Sequence, residues 1–208
     1  MQNLSDSRWV LLIHQIPPRP NYLRVKIWRR LQRLGAIAIK NSVYVLPKSD
    51  QTLEDFQWLS REITDGGGDA TVCEAHFVDG LSNEQVEALF QAARDSDYQQ
   101  IAEAARAVSK SLPRKAALND EQTIRFGAET MKLKKRLGEI LSIDYFGASA
   151  RMTAEGLVAD LQARVEVDLT EPDRSPEVML PRLRAPHPGT ERAHARLPGG
   201  VHETEMDG

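Results

Sequence analysis

Residues 8–47 read RWVLLIHQIPPRPNYLRVKIWRRLQRLGAIAIKNSVYVLP, and the succession of periodicities in this stretch decides the fold. Trp9 to Ile16 is a short apolar run ended by Pro17, the pattern of a buried strand. From Asn21 to Gly35 the period lengthens. Leu23, Ile27, Leu31 and Leu34 recur at i, i+4, i+8 and i+11, the inward side of a helix. Pro20 suits the entry, where a helix start leaves the amide unpaired anyway, and Gly35 suits the exit. Ala36–Lys40 reads as a second strand, Asn41-Ser42 as a tight turn and Val43–Leu46 as the return strand, stopped by Pro47.

Outward from this stretch the pattern repeats. Ser49 or Asp50 caps a helix over about 52–64, with Leu53, Phe56, Leu59 and Ile63 facing inward. Gly66-Gly67-Gly68 ends it, and Ala70–Val78 makes a last strand. The order β-α-β-β-α-β predicts an α+β, ferredoxin-like domain over residues 7–80. In that arrangement one sheet face carries both helices and the other is free for a partner or ligand.

Beyond residue 80 the period stays helical. Ser82 and Gln85 form a capping box, and Val86, Leu89, Phe90, Ala93, Ile101, Ala104, Ala105 and Val108 stripe a long helix that breaks near Asp95–Asp97 and ends at Pro113. A second helix over Asp120–Tyr145 turns Ile124, Met131, Leu133, Leu137, Ile140 and Leu141 inward. The two make an α-helical hairpin over 81–166, with a shorter helix near Thr153–Arg164. From 167 to 208 prolines are dense and apolar clusters absent, so a disordered tail is expected.

Charge is unevenly placed. Ser7 to Ser49 contains nine Lys or Arg and no Asp or Glu, although the whole chain carries −3. The sharpest concentration lies on the first helix, where Lys26, Arg29, Arg30 and Arg33 at i, i+3, i+4 and i+7 form one stripe and Arg24 lies nearby. A row of guanidinium and ammonium groups suits a row of phosphates, and Tyr22 and Trp28 add stacking surface if exposed. The plain alternative is a solvated face, or one paired with acids such as Glu103 or Glu121. Lys132, Lys134, Lys135 and Arg136 form a secondary basic cluster that circles its helix, flanked by Glu129 and Glu139.

Other chemistry is thin. His14 in the first strand reads as a satisfied sheet residue. Cys73 and His76 point to opposite faces, so no metal site is expected, and the three glycines lack the Lys-Ser/Thr of a phosphate loop. No nucleophile–base constellation is present and no catalytic residue is assigned. Asp6 and Arg8 interrupt any secretory leader, the longest apolar run falls far short of the roughly 20 residues that span a bilayer, and the single cysteine excludes an internal disulfide. A cytoplasmic, non-membrane protein is expected.

The strings WVLLIHQIP, RVKIWRRLQRLGAIAIKNSVYVLP, LFQAARDSDYQQI and IDYFGA (143–148) together resemble the N-terminal domain of ChrB-type chromate resistance regulators, over about Arg8 to Val165. The resemblance implies a non-enzymatic transcriptional regulator of a chromate efflux operon that responds to chromate. Arg24, Lys26, Arg29 and Arg30, with Arg33 alongside, occupy the family's basic positions and are expected to contact DNA or the chromate dianion itself. No other cofactor is implied, and a homodimer would suit a palindromic operator. Such regulators continue into a second domain where this chain has its Pro-rich tail. More distantly the pattern resembles the middle domain of phenylacetate-operon repressors, which in turn is similar to the ferredoxin-like nuclease of CRISPR adaptation, whose metal-binding aspartate closes the first strand. Here that place reads His14-Gln15-Ile16, which argues against metal-dependent cleavage. A metal-dependent nuclease and a non-catalytic interaction module are the competing function classes.

Overall fold

A computed structural model describes residues 7–19, 21–113 and 119–170. Pro20 and the part of the expected tail beyond Thr170 lie outside the described residues. The elements run β1 (Trp9–Gln15), α1 (Asn21–Arg33), β2 (Ile37–Lys40), β3 (Val43–Pro47), α2 (Asp50–Asp65), β4 (Asp69–Ala75), α3 (Asn83–Ser111), α4 (Asp120–Leu141) and α5 (Arg151–Thr170). The four strands form an antiparallel sheet in the order β2-β3-β1-β4. Each helix of the first unit thus connects two strands separated by a third, which is the ferredoxin-like split arrangement.

Register sets the two faces. Leu12 pairs with Tyr44 and Val72, and Val10 with Leu46, so these side chains share one face with His14. That face meets α1 and α2, whose Leu23, Ile27, Leu31, Phe56, Leu59 and Ile63 are buried. Ser49 is the N-cap of α2: its hydroxyl accepts from the Thr52 amide, and the Thr52 hydroxyl accepts from the Ser49 amide.

The opposite face is not free, as the bare fold would leave it. Trp9 points there and stacks on Phe90 of α3 at 6.1 Å, with Phe77 and Phe146 closing around it. Its indole N–H donates to Asn83 Oδ1 at 2.7 Å. The far end of β1 stays open, where Ile13 is 43% exposed.

α3 runs unbroken through Asp95–Asp97, against the expected break. Arg94 pairs with Asp97 at 3.0 Å, and Asp95 accepts from the Ala150 amide at 2.7 Å and the Ser149 hydroxyl at 3.1 Å. Tyr98, fully buried, donates to Asp144, which also accepts from the Ala148 amide. These polar residues anchor the turn before α5 rather than end α3. α5 begins at Arg151, reaches Thr170 and packs on both α3 and α4, so the hairpin closes into three helices around Ile101, Phe126, Leu137, Ala154 and Leu161. Two of the expected inward residues of α4, Ile124 and Met131, are each 73% exposed; Phe126 and Thr130 take the inner positions. β4 ends at Ala75 rather than Val78, and α5 carries helix past residue 167, where the tail was expected to begin. Both cores lie in one compact unit, Met1–Pro172. No described helix is long and apolar enough to cross a membrane.

The start of α3 rests on a full capping box, with Ser82 Oγ accepting from Gln85 N and Gln85 Oε1 from Ser82 N. Ser82→Ala should lower unfolding free energy by about 1 kcal/mol in urea melts. A change under a few tenths would mean that the Trp9 cluster alone fixes this end.

A candidate nucleic-acid interface on the first helix

The buried positions Leu23, Ile27 and Leu31 fix how α1 is rotated. With about 100° per residue, Lys26 and Arg30 then flank the buried stripe, while Arg29 and Arg33 point outward with Tyr22 and Val25. The stripe expected from spacing is therefore divided. Lys26 and Arg30 both pair with Glu62 of α2, Arg30 at 2.8 Å. The Glu62 side chain is only 16% exposed, and its hydrogen bond and charge hold the Lys26 ammonium above its ordinary range. Arg24, Arg29 and Arg33 are exposed, and among the described residues no ion pair holds them. Glu103 and Glu121, the acids considered from the sequence, make no ion pair with this helix among the described residues.

Glu62 is the residue that spacing alone missed. It lies beside the inward Leu59 and Ile63 on α2, and the fold packs α2 against the same sheet face as α1. An acid flanking one stripe and cations flanking the neighbouring one was the available signal, legible only once the two helices are placed side by side.

Aromatic surface accompanies the free arginines. Tyr22 is 72% exposed and Trp28 54%. On α2, Trp58 is exposed as well, with Arg61 5.3 Å over its ring. Planar side chains interleaved with cations can stack bases and neutralise phosphates together.

The secondary cluster lies on α4, whose Glu139 borders one cavity with Gln32 and Arg33 of α1. Lys132, Lys134, Lys135 and Arg136 are exposed around α4, Lys135 reaching Glu139 at 4.0 Å and Arg136 donating to Gln100 at 2.7 Å.

His14 is not satisfied. Both ring nitrogens are shielded from solvent and have no hydrogen-bond partner, while the ring stacks on Tyr44 at 5.6 Å. Burial pushes its pKa below the ordinary 6.5. The ring is therefore held neutral, and the unfolded chain takes up the proton first. This stabilising contribution is present above about pH 6.5 and is lost as pH falls through the lowered range.

A ferredoxin-like unit with an outward cationic and aromatic first helix, closed on its other face by a three-helix extension, defines an α+β protein of two joined parts rather than an isolated ferredoxin-like fold. The chain belongs to the family described as Protein ChrB, N-terminal, which it matches over residues 24–168. It is 24% identical over 169 residues to Protein ChrB of Cupriavidus metallidurans, covering 79% of this chain and 48% of that protein. The chain thus spans about half the length of that relative. No solved structure matches it.

Proposed function

We propose that this chain is a non-catalytic, DNA-binding regulatory module acting in chromate resistance, cytoplasmic and paired as a homodimer on its operator. One observation carries the reading: Arg29 and Arg33 stand outward on a helix free of acidic residues, with Tyr22 and Trp28 exposed on the same helix. Two unpaired guanidinium groups one turn apart on one face suit neighbouring phosphates of a backbone. The ChrB kinship supports the chromate context, and chromate is the expected effector.

The test is binding to DNA upstream of the chain's own gene, titrated in salt with and without chromate. Two phosphate contacts from the outward face predict a log–log salt slope of about −1.8 per chain, and chromate should shift the midpoint. A slope near zero, with chromate bound instead, would move the arginines to the oxyanion role.

A further inference from the structure

At the end of β1, a cavity of about 400 Å³ opens between the sheet, α1 and the β2–β3 turn. Its wall includes His14, Arg24, Trp28, Asn41, Ser42 and Tyr44. These residues come from two strands, a helix and a turn, and the turn is tied down where the His14 amide donates to Ser42 O at 2.9 Å. The cavity is therefore built by the fold and does not belong to a single loop.

Its chemistry is unusually complete. Arg24 carries a charge with no ion pair among the described residues. Asn41 and Ser42 are exposed polar side chains at the rim. Trp28 and Tyr44 are aromatic walls, and Ile27 and Leu31 an apolar floor. His14 brings ring nitrogens that are buried yet unpartnered, a rare and costly state in a settled structure and a common one in a site that awaits a ligand. The volume lies in the range of pockets for organic molecules, about 300–1,000 Å³, and well above what a bare tetrahedral ion fills.

We propose that this cavity is a nucleotide pocket, taking a single unstacked nucleotide with its phosphate on Arg24, its base between the aromatic walls, and its polar edge toward His14, Asn41 and Ser42. The proposal rests on the reading of α1 as a nucleic-acid helix and deepens it, because Arg24 of that same helix lines the cavity. The nucleotide has two sources, a free monophosphate or one unit of a strand. The shared chemistry is an anionic phosphate joined to a planar heteroaromatic ring. Both nitrogens are shielded while the ring stacks on Tyr44, so engaging them requires the ring to turn from that stack, which the His14 resonances report.

The experiment uses the full chain with four probes: the deoxynucleoside monophosphates, inorganic phosphate, a ten-residue thymidine oligomer and operator duplex. The readouts are the His14 ring nitrogen resonances and the fluorescence change that is present in a Trp58→Phe background and lost when Trp28→Phe is added, which leaves Trp9 as the common baseline. A monophosphate or the oligomer should move both signals, and which of the two does so identifies the source. Arg24→Ala should weaken this binding about tenfold or more, as expected for the loss of a charged hydrogen bond. His14→Phe, which keeps the stack on Tyr44, and Asn41→Ala, at an exposed turn, should each weaken it severalfold while Arg29→Ala does not. Inorganic phosphate binding as tightly as any nucleotide would overturn the proposal in favour of a bare anion site. Silence at His14 with every probe would also overturn it, even if operator duplex still binds through Arg29 and Arg33. Conversely, monophosphate binding without duplex binding would uphold the pocket and remove the operator reading.

Discussion

Replacing Arg94 with alanine should lower the unfolding free energy by about 2–4 kcal/mol, chiefly the cost of emptying the space a long buried side chain fills. Arg94 is 6% exposed and pairs with Asp97 at 3.0 Å. Its other terminal nitrogen is buried without a hydrogen bond and packs against the turn after α1, where a Cβ on Gly35 would stand 3.1 Å from it. Gly35 has φ +66°, so the turn already needs a residue without a side chain, and a Cβ there would lie 2.8 Å from Ile143 Cβ. Beside it, the Tyr145 hydroxyl donates to Leu34 O at 2.9 Å. Arg94→Ala thus opens a void beneath that turn and takes away the partner of Asp97. Arg94→Met, which fills the volume, should recover part of the loss, because Asp97 is open enough to meet water. Urea melts followed by circular dichroism measure both. A loss below about 1 kcal/mol for Arg94→Ala would place the residue outside the load path between the two cores.

The second large effect is a difference between two double variants. Arg29→Ala with Arg33→Ala should weaken operator binding about a hundredfold at low salt and flatten the salt slope by about 1.8. Lys26→Ala with Arg30→Ala removes the same charge from the same helix but should cost far less, because Glu62 already engages both cations. Spacing alone predicts equal losses for the two pairs. Equal losses in gel-shift or anisotropy titrations across the salt series would mean that Glu62 gives up its partners whenever DNA arrives.

The contrast marks where sequence reasoning reached and where it stopped. Strand–helix order, the inward faces of α1 and α2 and the Ser82 cap were legible, because each depends on residues close together in the chain. The basic first helix was legible as composition. Its division was not, since Glu62 belongs to a neighbour whose placement spacing does not give. Arg94 escaped for a related reason. Apolar periodicity through α3 selects Leu89 and Ala93, yet the inner line is Val86, Phe90, Arg94, Tyr98 and Ile101, and Leu89 is 41% exposed. An arginine in an inward row reads as a break in the pattern when it is part of the packing. Asp95 and Asp97 misled similarly, for their low helix propensity gives way to the Arg94 pair and the contacts to Ser149 and Ala150. The segments LFQAARDSDYQQI and IDYFGA, far apart in sequence, prove to be two sides of one contact, joined through Gln91 to Phe146 and Tyr98 to Asp144.

Glu62 also makes the helix a self-competing one. Its carboxylate is a rival anion tethered beside Lys26 and Arg30, at a local concentration no dissolved ion matches in dilute solution. A small dissolved anion would have to displace that carboxylate to reach either cation, whereas Arg29 and Arg33 stand open to it. The helix thus carries two grades of positive charge, one already answered from within the fold and one left to the surroundings.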